Sequence, residues 1–173
     1  MWVVTAVAEL SLKDPQEKHS VLEQINHKIE GLPFPLLRYK VLPELIKALE
    51  FGGAGTAAMA PILKIGQRLS GDDFSKDIVP GVVRCFASQD RATRFGLLQN
   101  LHTFAHHLTP ALVEKEIYPA VATGFTDSVP GLRELSLMSM VHLVPKLSDK
   151  IINSQVLSPA STVFLLVRPA NLG

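Results

Sequence analysis

The chain has 173 residues, of which 47% are hydrophobic, so it is long enough to bury a core and is not expected to be disordered. Its 17 Lys and Arg residues against 16 Asp and Glu residues give a formal charge of +1. Because nucleic-acid-binding domains are usually strongly basic, a nucleic-acid partner is not expected. The single cysteine, Cys85, cannot form an internal disulfide and no Asn-x-Ser/Thr sequon occurs, which predicts a reducing, intracellular setting.

Neither end of the chain predicts a targeting signal or a membrane span. Residues 1–8 are mostly apolar but lack the basic residues that precede the core of a signal peptide, so secretion is not expected. The longest apolar run near the C-terminus, 163–167, is far shorter than the ~20 residues that cross a bilayer. Any membrane association is therefore predicted to be peripheral.

Residues 1–38 have the pattern of a helical hairpin. A first helix is predicted over about 2–12. A second helix is predicted to begin with Asp14 as N-cap and Pro15 at the first helical position, and to end at Gly31 as C-cap. Between these ends, apolar residues recur at helical spacing: Val21, Leu22, Ile25 and Ile29.

Three later segments share a pattern centred on a proline. Pro43, Pro80 and Pro119 are 37 and 39 residues apart. Six residues after each proline stands a large apolar residue, in turn Leu49, Phe86 and Phe125. The prolines are predicted either to lie in the opening turn of a first helix, where a missing N–H costs little, or to kink that helix.

Four apolar columns follow the prolines and recur every 39 residues. Within one unit they are separated by steps of 3, 3 and 4, which places them on one stripe of a helix, whereas a strand alternates by two. The columns are Met59/Leu98/Leu137, Ile62/Leu101/Met140, Ile65/Phe104/Leu143 and Leu69/Leu108/Leu147. Each unit is therefore predicted to be a helical hairpin, with a period typical of helical repeats of ~40 residues.

The sequence predicts an all-α fold, an α-solenoid of about four HEAT- or armadillo-type hairpins over residues 1–157. One hairpin cannot bury its own apolar stripe, so neighbouring hairpins are expected to stack. The predicted units span about 1–38, 39–74, 75–113 and 114–152. Residues 158–173 break the pattern with a β-prone apolar run and are predicted to be an irregular tail.

Two motifs could hold a ligand, and for both the structural interpretation is favoured. Residues 53–58 match the loose dinucleotide pattern G-x-G-x-x-A, but that site needs a preceding strand, and a helix is predicted there. His102, His106 and His107 could face one metal ion, yet they flank the buried stripe and have no carboxylate or cysteine ligand nearby in the sequence. No cofactor and no metal site is predicted.

The charged residues around the helix starts are given structural roles. Arg94 and Arg133 lie at equivalent points early in two second helices and are predicted to pair with acids such as Asp90 and Asp127.

A small acidic cluster, Asp72, Asp73 and Asp77, is predicted to cap a helix, with contact to a partner as the less favoured alternative. Cys85 lies in an apolar helical context and is expected to be a small buried hydrophobe. No nucleophile, base and orienting group can be assembled from these motifs, so no catalytic residue is assigned and the chain is not expected to be an enzyme.

Four blocks carry a family resemblance: Ser-Leu-Lys-Asp-Pro at 11–15, Lys-Val-Leu-Pro-Glu-Leu at 40–45, Leu-Glu-Phe-Gly-Gly-Ala-Gly at 49–55 and Asp-Arg-Ala-Thr-Arg at 90–94. With them the chain resembles, over roughly residues 8–157, the HEAT-repeat region of the Scy-like, or N-terminal kinase-like, pseudokinases. Proteins of that family have a domain that resembles a protein kinase, followed by HEAT repeats and by a basic tail that binds coatomer. The kinase H-R-D and D-F-G segments and a dibasic terminus are absent from these 173 residues.

The resemblance implies a non-catalytic scaffold that binds proteins, coatomer or other trafficking components, in Golgi-to-endoplasmic-reticulum vesicle traffic. It places the protein in the cytoplasm, with peripheral association at Golgi membranes. Because the coatomer-binding tail is not in this sequence, only the scaffold or self-association role of the repeats carries over. The alternative is an adaptor for nuclear export of transfer RNA, a role suggested for fungal relatives, which needs a basic stripe on one face.

Overall fold

A computed structural model of the chain describes residues 2–51 and 55–158. Every element in these ranges is a helix or a helical turn, and no strand occurs among them, so the predicted all-α fold is confirmed. Apart from Ser158, the predicted tail lies outside the described residues, as do Gly53 and Ala54 of the glycine motif. The chain divides into two compact units, Met1–Thr103 and Phe104–Gly173.

The first unit consists of consecutive helical hairpins. Its helices are α1 (Trp2–Ala8), α2 (Pro15–Lys28), α3 (Phe34–Leu36), α4 (Leu42–Phe51), α5 (Met59–Gly66), α6 (Gly71–Asp77), α7 (Val79–Phe86) and α8 (Arg91–Phe104), the last of which ends one residue beyond the unit. Short 3₁₀ turns at Leu10–Leu12, Ile29–Gly31 and Gly55–Ala58 adjoin α1, α2 and α5, and a π turn at Leu37–Val41 joins α3 to α4.

The second unit repeats the same arrangement. Its helices are α9 (Pro110–Leu112), α10 (Tyr118–Ala122), α11 (Pro130–Leu143) and α12 (Asp149–Ile151). A π turn at Val113–Ile117 joins α9 to α10, and another at Ile152–Val156 follows α12. The 3₁₀ turns of this unit are Ala105–His107, Thr123–Thr126 and Val144–Lys146.

The repeated prolines mark junctions inside long first helices. Pro43 and Pro119 are the second residues of α4 and α10, directly after π turns, and Pro80 is the second residue of α7, directly after a break at Ile78. A proline lacks the N–H and sterically blocks the regular α hydrogen bond, so the helix widens or breaks just before it. The prolines therefore interrupt the first helices and do not start them. Of the two predicted alternatives, the opening turn or a kink within the helix, the structure agrees with the second.

The second helices end in the same way in every hairpin. A leucine amide donates to the carbonyl three residues earlier: Leu32 to Ile29 (3.1 Å), Leu69 to Gly66 (3.0 Å), Leu108 to Ala105 (3.1 Å) and Leu147 to Val144 (3.1 Å). The first of these turns corrects one prediction. Gly31 is the last residue of a 3₁₀ turn, and the extended Leu32, not a left-handed glycine, terminates the helix.

The predicted start of α2 is confirmed. The Asp14 carboxylate accepts hydrogen bonds from the amides of Gln16 and Glu17, both at 2.9 Å, and Pro15 follows at the first helical position. These bonds satisfy two of the amides that a helix start leaves without a partner. The local sequence alone was enough to specify this end.

The core follows the predicted columns. Ten of the twelve column residues are buried, and the other two, Leu69 and Leu137, are half-buried. The stripes of α5, α8 and α11 thus face inward, as their spacing predicts. The predicted unit boundaries at 39, 75 and 114 fall within the first helices, and the division of the chain into four units stays a prediction.

Candidate protein-binding surface

The candidate site lies between the first helices of two consecutive hairpins in the first unit. We call residues 34–51 helix A2 and residues 71–86 helix A3. Side chains join them at both ends: Arg38 to Asp77 near their starts and Glu50 to Arg84 near their ends. Residues near the start of one helix thus meet residues near the start of the other, so A2 and A3 run parallel.

A guanidinium fork links the starts of the two helices. Arg38 donates from Nη1 and Nη2 to the two carboxylate oxygens of Asp73, at 3.1 and 2.6 Å, and from Nε to Asp77 at 2.9 Å. The hydrogen bond with Arg38 holds the pKa of Asp73 below its usual range, and the same bond raises the pKa of Arg38. Such two-point contacts fix orientation as well as charge, so the fork sets how A2 and A3 pack.

A second ion pair links the ends of the helices. Arg84 donates from Nε and Nη2 to one carboxylate oxygen of Glu50, at 3.1 and 2.6 Å. The Glu50 side chain is only 9% exposed, whereas that of Arg84 is 61% exposed. The carboxylate is therefore withdrawn beneath the guanidinium, and the positive group faces the solvent.

Between the two ion pairs runs a groove of about 450 Å³. The groove residues are Arg38, Tyr39, Leu42, Pro43, Ile46, Lys47, Glu50, Lys76, Asp77 and Arg84. Leu42 and Ile46 are buried and form an apolar floor, while Pro43 is exposed. We call this depression the A2–A3 groove.

Aromatic side chains stand at both ends of A2. Tyr39 is 65% exposed and lies with its ring 5.3 Å from the Arg38 guanidinium, a cation–π contact. Phe51 is 83% exposed and borders a second, smaller depression of about 270 Å³ between α1 and α4, which Val7, Leu10 and Ala48 also line. Exposed aromatic rings beside a groove are typical of protein-binding surfaces.

Most charged side chains at the groove are paired, because Lys47 also binds Glu44 at 2.7 Å and Arg38 also binds Asp73. Four cationic residues, Arg38, Lys47, Lys76 and Arg84, line it together with two acidic residues, Glu50 and Asp77. Both acidic residues accept hydrogen bonds from arginines, so their charges are locally compensated. Lys47 and Lys76 are exposed at the rim.

The structure corrects the interpretation of the acidic cluster. The side chain that caps α6 is Ser70, whose hydroxyl accepts from the Asp73 amide at 3.1 Å. Asp73 and Asp77 instead bind Arg38, which sequence reasoning did not single out. A signal was present, because Arg38 and Asp77 are 39 residues apart, one repeat period.

The two acids of the predicted arginine pairs, Asp90 and Asp127, lie at the helix starts, and the pairing of Arg94 with Asp90 stays a prediction. The Asp90 carboxylate caps α8, accepting from the Thr93 amide at 3.0 Å and the Thr93 hydroxyl at 2.6 Å. These bonds lower the pKa of Asp90. Arg133 donates to the backbone carbonyl of Asp127 at 2.6 Å. Both arrangements fasten a second helix to the turn before it.

The histidines are placed on surface or half-buried positions. His102 is exposed on α8, and the rings of His106 and His107 in the following 3₁₀ turn are 4.0 Å apart. Burial, with a smaller contribution from His106, lowers the pKa of His107. Within 2–51 and 55–158, no three His, Cys, Asp or Glu side chains come together as a metal site would require.

Two other predicted features can be located. Cys85 is buried on α7, and burial together with the charge of Glu50 raises the pKa of its thiol to about 12. The described residues on either side of the glycine motif are α4 and a 3₁₀ turn, so a helix, not the strand of a dinucleotide site, precedes it. None of the described helices is long and apolar enough to cross a membrane.

Comparison with known proteins gives the family. No family model matches the chain. A crystal structure of Cex1p has a TM-score of 0.62 over 87% of this chain and 31% of that one, and at 22% identity it supports the α-solenoid fold alone. A Dictyostelium discoideum protein named probable inactive serine/threonine-protein kinase scy1 is 38% identical over 141 residues. The chain belongs to the Scy-like pseudokinase family.

The Scy-like match covers a part of longer proteins. It includes 82% of this chain but 17% of the Dictyostelium protein. A mouse relative, named protein-associating with the carboxyl-terminal domain of ezrin, is 24% identical over 87% of this chain and 22% of its own length. The chain thus spans less than a quarter of these two relatives.

Proposed function

We propose that this chain is a non-catalytic, protein-binding scaffold of the Scy-like family. The observation that carries the proposal is the A2–A3 groove, where an apolar floor is flanked by exposed Tyr39 and by rim cations. The helical framework supports it, because A2 and A3 are regular helices linked by an ion pair at each end of the groove. Rigid helical surfaces of this kind bind partners with little loss of conformational entropy.

The names of the relatives agree with this role. The Dictyostelium relative is named a probable inactive kinase, and the mouse relative is named for association with another protein. We propose that the repeats themselves, independently of the family's basic tail, contact coatomer or another trafficking component, and that the protein acts in the cytoplasm and at the surface of Golgi membranes. The experiment is to titrate the full chain with purified coatomer in solution and follow binding by interferometry.

A charge-reversal variant in the groove tests whether the groove is the surface that binds coatomer. We expect the full chain to bind coatomer, and Lys76→Glu to weaken binding about tenfold, because a rim charge steers and holds an opposite charge. The matched control is Lys115→Glu, which makes the same change on an 83% exposed lysine of the second unit. If the full chain does not bind coatomer, the proposed partner is refuted. If the two substitutions have equal effects on binding, the proposed surface is refuted.

The alternative is a transfer-RNA export adaptor. The family resemblance and the exposed lysines of the groove support it. Against it, the arginines of the groove are paired with carboxylates from the neighbouring helix, which breaks up a basic stripe. A mobility-shift titration with transfer RNA tests this: binding tighter than that of coatomer, with a steep dependence on salt, would favour the alternative.

A further inference from the structure

The last described helix of the chain has a partly uncovered face. The helix consists of α12 and the π turn after it, residues 149–156, and we call it the end helix. Its π turn begins at Ile152, which is half-buried, whereas the residues that begin the two earlier π turns, Leu37 and Val113, are 0% exposed. A position that lies in the core in the earlier first helices is therefore only partly covered in the end helix.

The residue after each π turn shows the same difference. Leu42 and Tyr118 follow the first two π turns and are 1% and 4% exposed, whereas Leu157 follows the third and is 45% exposed. The Leu157 amide donates to the Ile152 carbonyl at 2.8 Å, so the two apolar side chains lie one turn apart. We call the surface formed by Ile152, Asn153 and Leu157 the end face.

Asn153 adds a polar group to the end face. In the earlier π turns, the second residue reaches the start of the next first helix: Arg38 binds Asp73, and Glu114 accepts from the Ser148 amide. Asn153 is the second residue of the third π turn, and it is exposed. Because its amide both donates and accepts, it can bind the N–H and C=O groups of an extended backbone. The end face thus suits a chain segment with apolar side chains.

The sequence directly after the end helix has the matching chemistry. Residues 163–167 are Val-Phe-Leu-Leu-Val, and no charged residue occurs from 151 to 167. Pro159 disfavours continuation of the helix, because the residue before a proline avoids helical backbone angles. An apolar run thus follows Leu157 by six residues, with a helix-breaking residue between them.

The tether is long enough for this run to return to the end face. Ile152 and Leu157 are separated by roughly 7 Å along the helix axis. From Leu157 to Phe164 an extended chain spans up to about 23 Å. Such a short tether keeps the effective concentration of the run near the face on the order of millimolar, so a contact within the chain is favoured over one with another protein.

We propose that residues 161–168 fold back on the end helix and shield the end face, with Phe164 packed over Ile152 and Leu157. The occupant of the end face is a segment of the same chain and not a second protein. A terminal unit of a solenoid has to hide its stacking surface, and this segment does so without a further hairpin. The inference goes beyond the scaffold function and does not depend on which partner binds the A2–A3 groove.

A photo-crosslink in the full chain tests the contact directly. A photoreactive phenylalanine analogue replaces Phe164, the dilute chain is irradiated, and the monomeric product is digested and analysed by mass spectrometry. We expect the main crosslink from position 164 to fall within residues 149–157. The control has the same analogue in place of Leu172, which lies beyond the apolar run, and should crosslink to these residues with much lower yield.

Hydrogen exchange measures the protection that the segment gives. We expect Phe164→Ser to speed exchange of the amides of residues 153–157 about tenfold, because an uncovered helix end opens more often. Leu172→Ser, the matched control, should leave their exchange unchanged. In a Leu157→Ser background the effect of Phe164→Ser should be much smaller, since the side chain that Phe164 covers is gone. Circular dichroism checks that every variant keeps the helix content of the native chain.

Three results would overturn the inference. They are a main crosslink from position 164 to residues outside the end helix and Leu157, equal crosslinking from positions 164 and 172, and unchanged exchange in Phe164→Ser. The outcome is separable from the scaffold proposal. If coatomer binds the chain but position 164 does not crosslink to the end helix, the end-face inference fails alone. If the crosslink forms and coatomer does not bind, the coatomer proposal fails alone.

Discussion

Gly81 of α7 packs directly against Ile46 of α4. A β-carbon built on Gly81 would overlap the Ile46 Cγ2 methyl group and lie 3.2 Å from the Glu50 carboxylate. Glycine is therefore required here by a close approach of two helices. Ile46 forms part of the floor of the A2–A3 groove, so the spacing of the helices at the groove depends on this glycine.

Substitution of this glycine should destabilise the first unit. Overpacking costs about 1–3 kcal/mol, and the better helix propensity of alanine returns up to about 1 kcal/mol, so we expect Gly81→Ala to lower the free energy of unfolding by about 1 kcal/mol. Urea denaturation measures this. Gly31→Ala is the control, because nothing lies within 4 Å of its added carbon. Adding Ile46→Ala should make the combined loss smaller than the sum, and strict additivity would contradict the contact.

The Arg38–Asp73 fork predicts that the free energy of unfolding depends on pH in the acid range. The pKa of Asp73 is lowered by the fork, so its contribution is present above the ordinary carboxyl pKa of about 4 and is lost as the pH falls through the folded value. Arg38→Gln removes this contribution. We expect the variant to be less stable than the native chain at about pH 6, and the two to converge below about pH 3. Parallel curves across the acid range would show that the fork does not stabilise the fold.

The thiol of Cys85 should be unreactive in the folded chain. Its pKa is raised to about 12, chiefly by burial, whereas an unfolded thiol titrates near about 8.5. At about pH 8 we expect labelling by a disulfide reagent to be more than about a hundredfold slower in the native chain than in urea. The unfolded chain is the internal control. Similar rates in both states would mean that α7 opens readily.

The repeat pattern predicted the helices because buried stripes follow helical geometry alone. Met59, Ile62 and Ile65 sit on one face whatever the neighbouring hairpin does, and all three are fully buried. The same holds for the Asp14 cap, which involves only adjacent residues. Features fixed within one helix or one turn were thus readable from the sequence.

The contacts between hairpins were not readable in the same way. Arg38 reaches residues 35 and 39 positions later, and Glu50 reaches one 34 positions later. The separations of 34 and 35 residues depend on how far one first helix is shifted along the next, which no local pattern specifies, whereas the separation of 39 residues equals the repeat period. The predicted unit boundary at 39 also placed Arg38 at the end of the preceding hairpin, although helix A2 begins at Phe34.

The π turns also could not be predicted from the sequence. Pro43 and Pro119 indicate an interruption of the helix, but the sequence does not say whether the helix ends, kinks or widens. Here it widens over Leu37–Val41 and Val113–Ile117, while at Pro80 it breaks. Whether the helix widens or breaks depends on how it packs against neighbouring helices. This packing keeps both halves of the first helix in one hairpin.

The outer face of α11 predicts self-association. Met138 and Val141 are 61% and 74% exposed, although the residues 39 positions earlier, Gln99 and His102, are polar. An apolar pair at positions that are otherwise polar favours contact with a second copy. We expect sedimentation velocity to show concentration-dependent dimers, and Met138→Gln with Val141→Gln to shift them toward monomer. A native chain that stays monomeric at all concentrations would contradict this.

The central claim is that the A2–A3 groove is where a protein partner contacts the chain. A photoreactive phenylalanine analogue in place of Tyr39, irradiated with purified coatomer, tests it most directly. The same analogue at Lys115 is the control. We predict a covalent adduct to one coatomer subunit from position 39, lost when Lys76→Glu is added, and none from position 115. Adducts of equal yield from both positions, or none from position 39 while coatomer is bound, would contradict the account.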